Sequence, residues 1–168
     1  MKSIVKPTGK LRIRVIDSEG NLKQEVLTSN VVTDSGDAYI ADLLSSSPVR
    51  TKITTGSCYI PVGTGWTGTT PKANTWVNTQ VGSSQAVDAT YPKLKGAWGT
   101  VDDNVLQFQV TYLPGSLNVI GINEAAITSH ASNVAANSIL SYAQITPAVN
   151  VSSTDTLVIL WEVTFVGS

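Results

Sequence analysis

Residues 106–112 read LQFQVTY, an unbroken alternation of apolar and polar side chains. Successive side chains of a β-strand point to opposite faces of its sheet, so Leu106, Phe108, Val110 and Tyr112 would share one buried face. The closing segment, residues 156–166, is apolar on both faces, which predicts a strand in a central or sandwiched position. These two segments predict a β-sheet protein.

Turn residues divide the rest of the chain into similar short strands. Residues 11–16 alternate apolar and basic side chains, the turn at 17–21 contains Gly20, and residues 22–28 return, so the chain opens with a hairpin. Further strands are predicted at 53–62, 76–87, 98–101, 117–128, 139–145 and 147–151. One short α-helix is predicted at about residues 36–45, with Asp34 as its N-cap. The fold class is therefore all-β: a single-domain antiparallel β-sandwich, jelly-roll-like fold or barrel with one short helix.

The composition limits the function classes. Charged residues make up 14% of the 168 residues, against roughly 25% in an average soluble domain. Sparse charge suits a β domain whose surface is partly covered by neighbouring subunits, and equally a β domain that is simply weakly charged. The net charge of −1 gives no overall field that would attract nucleic acid or an anionic membrane, so neither is an expected partner. One cysteine, Cys58, excludes an intramolecular disulfide, and we expect its thiol to be buried.

Basic residues cluster near the N-terminus, ahead of the first acid, Asp17. They are Lys2, Lys6, Lys10, Arg12 and Arg14. This distribution favours an N-terminal arm at residues 1–10, followed by one β domain at 11–168. The basic side chains would then lie against an acidic protein partner. A solvated terminus is the alternative. No apolar segment near the N-terminus has the character of a signal peptide, so we expect synthesis and assembly in a cytoplasm.

Few residues suggest catalysis. His130 is the single histidine, and its place in a polar loop favours a surface side chain over a triad base. Glu124 and Glu162 each interrupt an apolar strand, and could form an acid–base pair. The preferred interpretation is an edge carboxylate that pairs with Lys or Arg or prevents edge-to-edge aggregation. We therefore expect no enzyme activity, no catalytic residue, no small-molecule substrate, no metal and no cofactor.

Glycines and tryptophans mark the predicted loops. Gly63-Thr64-Gly65 is too short for a dinucleotide fingerprint and precedes no predicted helix. Trp66, Trp76 and Trp98 lie in or near loops, where an indole can pack against the domain end, contact another subunit or stack on a sugar ring.

Several motifs occur in a characteristic order. They are the opening hairpin, residues 30–36 (NVVTDSG), 39–44 (YIADLL), 59–65 (YIPVGTG), 122–127 (INEAAI) and 153–165 (STDTLVILWEVTF). This order resembles small β-rich virion structural proteins of tailed bacteriophages, either capsid decoration (cement) proteins or small tail proteins. Related patterns often carry a Leu and a Glu after the glycine loop, where residues 75–78 here read TWVN without an acid.

The resemblance implies a location on the capsid surface of a virion, binding to the major capsid protein and self-association as a homotrimer. The expected contact residues are the basic group named above and, in the glycine loop, Gly63, Gly65, Trp66 and Trp76. The alternatives are a tail, baseplate or fibre component, and a carbohydrate-binding module that uses the loop tryptophans.

Overall fold

The strands form one curled antiparallel sheet. The structure is a computed structural model that describes residues 5–68, 72–134 and 139–167. The sheet order is β4-β3-β7-β8-β2-β1-β9-β6-β5. The strands are β1 (Val5–Ile16), β2 (Leu22–Val32), β3 (Tyr59–Gly63), β4 (Gln80–Ala86), β5 (Lys93–Leu94), β6 (Val105–Tyr112), β7 (Val119–Thr128), β8 (Ile139–Val151) and β9 (Thr156–Gly167). One α-helix, α1 (Asp34–Leu43), follows β2, and a 3-10 turn at Thr55–Ser57 precedes β3. The predicted all-β fold with one short helix is confirmed.

Side-chain and loop contacts close the curl of the sheet. Asp88, just after β4, donates its backbone N–H to the Gln109 carbonyl of β6 at 2.8 Å. Its carboxylate accepts the Thr111 N–H at 3.0 Å. These bonds occupy backbone groups of β6 that would otherwise form an open edge. The sandwich and jelly-roll forms of the prediction are not confirmed, because all the described strands belong to a single sheet.

The core fills the concave side of the sheet. In β6, Phe108, Val110 and Tyr112 are at most 1% exposed, as the alternation predicted. The matching core residues of the neighbouring strands are Leu11, Ile13 and Val15 in β1 and Leu157, Ile159, Trp161 and Val163 in β9. β9 lies between β1 and β6, which confirms its central position, but its outer side chains Val158 and Leu160 are only half-buried.

The opening hairpin forms as predicted, and its first strand is longer than expected. β1 pairs with β2 over residues 9–16, and residues 5–10 also run beside residues 162–167 of β9. The predicted arm at residues 1–10 is therefore part of the sheet from Val5 onward, because the backbone there bonds to β9. Lys6 pairs in register with Val166, whereas Lys2 lies outside the described residues.

Local predictions differ from the structure at several places. Thr33, not Asp34, is the N-cap of α1: its backbone is extended, and its Oγ1 accepts the Gly36 N–H at 3.0 Å. The strand predicted at 53–62 begins only at Tyr59, because the 3-10 turn precedes it. Residues 98–101 form turns rather than a strand, and the two strands predicted around Pro147 are one, β8.

Polar side chains connect β2 to β8 where the two strands separate. The strands pair only over residues 30–32 of β2. Further along, the Gln24 side chain donates to the Ala148 carbonyl at 3.1 Å and accepts the Asn150 N–H at 3.4 Å. Lys23 Nζ donates to both carboxylate oxygens of Asp155, at 2.8 and 3.0 Å, in the turn between β8 and β9. Together these contacts replace the missing backbone ladder.

We expect Asp155 to make the protein sensitive to acid. The Lys23 ammonium, helped by the Ser152 N–H, lowers the pKa of Asp155 to about 2. The carboxyl of an Asp residue in an unfolded chain has a pKa of ~3.9. The contribution of Asp155 to the free energy of unfolding is therefore complete above that pH and is lost as the pH falls towards about 2. Asp155→Asn should lower the urea midpoint of unfolding at neutral pH. Between about pH 4 and 2 that midpoint should fall less in the variant than in the wild-type protein.

The measurement is urea unfolding followed by circular dichroism across that pH range. Glu19→Gln, which changes an exposed carboxylate in the first turn, serves as the control and should retain the wild-type pH dependence. Equal acid sensitivity of the wild-type protein and Asp155→Asn would contradict the assignment.

Candidate protein-binding surface

β1 carries three cationic side chains on the outer face of the sheet. Lys10, Arg12 and Arg14 are exposed and alternate with the fully buried Leu11 and Ile13. The alternation follows from the two-residue period of a strand whose other face lines the core. The sequence-predicted contacts Lys10, Arg12 and Arg14 are therefore brought together on one side of the protein.

The strands beside β1 add leucines to this surface. Arg12 lies in register between Leu27 of β2 and Leu160 of β9, and the Leu27 side chain is 62% exposed. A shallow depression of about 290 Å³ lies over these strands. We call its lining the basic face; it consists of Lys10, Arg12, Leu27, Lys95, Leu160 and Glu162.

Positive charge exceeds negative charge on the basic face. Glu162 is its one carboxylate; it lies 3.4 Å from Lys95 Nζ and accepts a bond from the Gln107 amide at 2.8 Å. Its charge raises the pKa of Lys95. Lys10 and Arg12 form no ion pair with any residue that the structure describes. Two cations are thus available to a carboxylate supplied by a partner.

Neighbouring charges belong to pairs within the chain. Arg14 Nε lies 2.5 Å from Glu25 Oε2, and this hydrogen bond lowers the pKa of Glu25. Glu162 pairs with a lysine as predicted, but it lies in a central strand rather than at an edge.

Glu124 has an unexpected role: it holds the loop that covers β7 and β8. The side chain is fully buried. Its Oε1 accepts the N–H groups of Gly65 and Thr79, both at 2.9 Å, while its Oε2 accepts the Asn78 N–H at 3.0 Å and the Tyr142 hydroxyl. The edge-carboxylate interpretation is wrong for Glu124, since β7 lies between β3 and β8 and the partners are backbone donors.

The two glycines of the glycine loop are required by its close packing against Glu124 and Thr79. A Cβ on Gly63 would lie 2.5 Å from Glu124 Oε1 and from the Thr79 carbonyl. A Cβ on Gly65 would lie 2.6 Å from the Thr79 backbone nitrogen. Both positions thus require glycine for close approach within the chain. Their use as partner contacts stays an untested prediction, and we do not include them in the proposed surface.

The three loop tryptophans have different environments. Trp76 is 8% exposed and donates from Nε1 to Gln80 Oε1 at 3.0 Å. Trp66 is half-buried against the same small cluster on β7 and β8. Trp98 is 91% exposed. The indole most available to a partner is therefore Trp98, which lies between the short β5 and β6 and is absent from the predicted contact set.

Other reactive side chains are dispersed. Ser129 Oγ lies 3.0 Å from His130 Nδ1 in an exposed loop, and no carboxylate among the described residues bonds to that histidine. Burial raises the pKa of the Cys58 thiol to about 12, which makes it a packing residue as expected. Among the described residues, no three potential metal ligands form a group, and no helix is long and apolar enough to span a membrane.

We expect the buried carboxylate to be important for stability. Glu124→Gln would place an amide NH₂ against backbone N–H donors, and should lower the free energy of unfolding by about 2–4 kcal/mol. Urea unfolding followed by circular dichroism measures this difference.

Glu162→Gln is the matched control. Its carboxylate is partly exposed and its partners are side chains, so the same substitution there should cost below about 1 kcal/mol. Equal losses at the two positions would show that the backbone donors around Glu124 contribute no special stability.

Comparison with known proteins yielded no relative. No family model, no curated protein and no solved structure matches the chain.

Proposed function

We propose that this chain is a structural protein of a tailed-phage virion, and specifically a capsid decoration protein that binds the major capsid protein of the assembled shell. The observation that carries the proposal is the basic face, where Lys10 and Arg12, beside the exposed Leu27, form no ion pair with any residue that the structure describes. Such a surface suits a protein partner that offers carboxylates next to apolar side chains.

The position of the basic face in the fold supports binding with little rearrangement. β1 pairs with β2 from Gly9 onward and with β9 along its whole length. The backbone beneath Lys10 and Arg12 is thus fixed before a partner arrives, and only the side chains lose freedom on binding. A preorganised surface loses less conformational entropy on association.

Self-association as a homotrimer is the second part of the proposal. It would cover part of a surface that carries few charges, and closed cyclic symmetry is the usual form of a homo-oligomer. The alternative with an observation in its favour is a tail, fibre or carbohydrate-binding role, because the exposed Trp98 could stack on a sugar ring. Glycan-array binding that disappears in Trp98→Ala would favour this alternative.

Antibody–gold labelling of phage particles that carry this gene, viewed by electron microscopy, tests the location. Gold distributed over the heads is the expected result. Gold confined to tails or tail tips would overturn the decoration role and favour the tail alternative.

We expect Arg12→Glu to weaken binding to emptied phage shells at least about tenfold, because a charge reversal places like charges together at the interface. The measurement is co-sedimentation of the purified protein with shells stripped of it. Increasing salt should weaken the wild-type interaction as well.

Lys72→Glu is the control, since it changes the net charge equally but lies near α1, where Lys72 pairs with Asp37 at 2.6 Å. It should bind like the wild-type protein. Equal losses in both variants would indicate a general charge effect and would remove the basic face from the proposal.

A further inference from the structure

We infer that residues 96–103 of one copy, the Trp98 loop, insert into an apolar groove beside α1 of a second copy. The inference rests on the self-association part of the proposed function and identifies the contact that would produce it. Of the basic face, Lys95 adjoins the loop through its ion pair with Asp102, but the proposed contact uses neither Lys10 nor Arg12.

The Trp98 loop presents two large apolar side chains to solvent. Trp98 is 91% exposed and Val101 is 88% exposed. Hydrogen bonds within the loop fix its shape: the Gly96 N–H donates to the Asp102 carbonyl at 3.1 Å, and the Gly99 N–H donates to Asp103 Oδ2 at 2.9 Å. An ordered loop with an exposed tryptophan is typical of a binding hot spot, where a buried aromatic ring contributes much of the affinity.

A groove of suitable size lies between α1 and the β5–β6 hairpin. Its volume is about 580 Å³, within the range of about 300–1,000 Å³ typical of ligand pockets. We call it the α1 groove; its apolar lining includes Ile40, Leu43, Leu94, Leu106, Phe108 and Phe165. The Trp98 ring of the same chain does not fill it, since that ring is almost fully exposed.

The charges of the loop and the groove are complementary. The Trp98 loop contains Asp102 and Asp103. Asp102 lies 3.4 Å from Lys95 Nζ of the same chain, whereas Asp103 forms no ion pair with any residue that the structure describes. The α1 groove includes Lys52 and Lys93, and neither forms an ion pair with any residue that the structure describes. Lys93 Nζ instead lies over the Tyr91 ring, 4.6 Å from its centroid. Charge complementarity thus favours this acidic, apolar loop as the occupant of the groove.

The contact joins two different surfaces, so it can be repeated from copy to copy. A head-to-tail contact of this kind closes a ring when the rotation between copies permits, and three copies would give the proposed trimer. Each copy would then both donate its Trp98 loop and receive the loop of a neighbour.

Sedimentation equilibrium of the purified full chain and its variants tests the inference. The wild-type protein should form trimers, whereas Trp98→Ala should weaken association by about thirtyfold or more, as loss of a hot-spot side chain does. Leu94→Glu, which introduces an acid into the half-exposed lining of the groove, should have the same effect because it repels the acidic loop. Ile120→Ala removes another exposed apolar side chain, 85% exposed and outside the groove, and should associate like the wild-type protein.

Mixing the two defective variants gives the most specific result. Trp98→Ala retains an intact groove and Leu94→Glu retains an intact loop, so the mixture should form 1:1 heterodimers although neither variant associates alone. Circular dichroism confirms that each variant is folded.

Trimers of Trp98→Ala, or a mixture that remains monomeric, would overturn the inference while leaving self-association possible through another surface. A monomeric wild-type protein would overturn self-association itself, whereas shell binding through the basic face is decided separately by Arg12→Glu.

Discussion

One buried carboxylate, Glu124, which has no cationic partner among the described residues, holds the loop on the outer side of the sheet. Glu124 loses its hydration when the described residues of the loop between β3 and β4 cover β7, and only dense hydrogen bonding can compensate for that loss. Three backbone N–H groups and the Tyr142 hydroxyl supply it. Burial, together with the bond to Glu124, raises the pKa of Tyr142, so its hydroxyl remains a donor. The loop conformation and the glycine at Gly63 depend on this carboxylate.

Polar side chains also form hydrogen bonds at other places where the backbone ladder of the curled sheet is interrupted. Asp88 bonds to β6 at the closure of the curl, and Gln24 bridges β2 and β8 where they separate. Asp155 binds Lys23 at the other end of that gap. Each of these side chains satisfies strand or turn groups that have no regular partner at that point of the curled sheet.

The strands could be predicted from the sequence, but the contacts between distant segments could not. The alternation at residues 106–112 and the apolar run at 156–166 gave β6 and β9 almost to the residue, because each pattern reflects burial of one strand. The local sequence of residues 5–10 does not show that they pair with β9. Nor do the local sequences around the two acids show that Glu124 accepts bonds from backbone donors whereas Glu162 pairs with a lysine. Likewise, Trp76 and Trp98 both stand in polar loop sequence, yet one is buried and the other exposed. These differences depend on which distant segments the curled sheet brings together. Such contacts cannot be read from the residues that flank each side chain in the sequence.

The placement of the acids also explains how a chain of net charge −1 presents a basic face. Six of its twelve acidic side chains accept hydrogen bonds from backbone N–H groups of the described residues: Asp17, Asp42, Asp88, Asp103, Glu124 and Asp155. These acids are fixed by turns, loops and the closure of the sheet, so their positions follow from the needs of the fold. β1 contributes no acid at all, and its outward positions from Lys10 to Arg14 are all basic. None of the acids that accept backbone hydrogen bonds lies on the basic face, whose one carboxylate, Glu162, bonds to side chains instead.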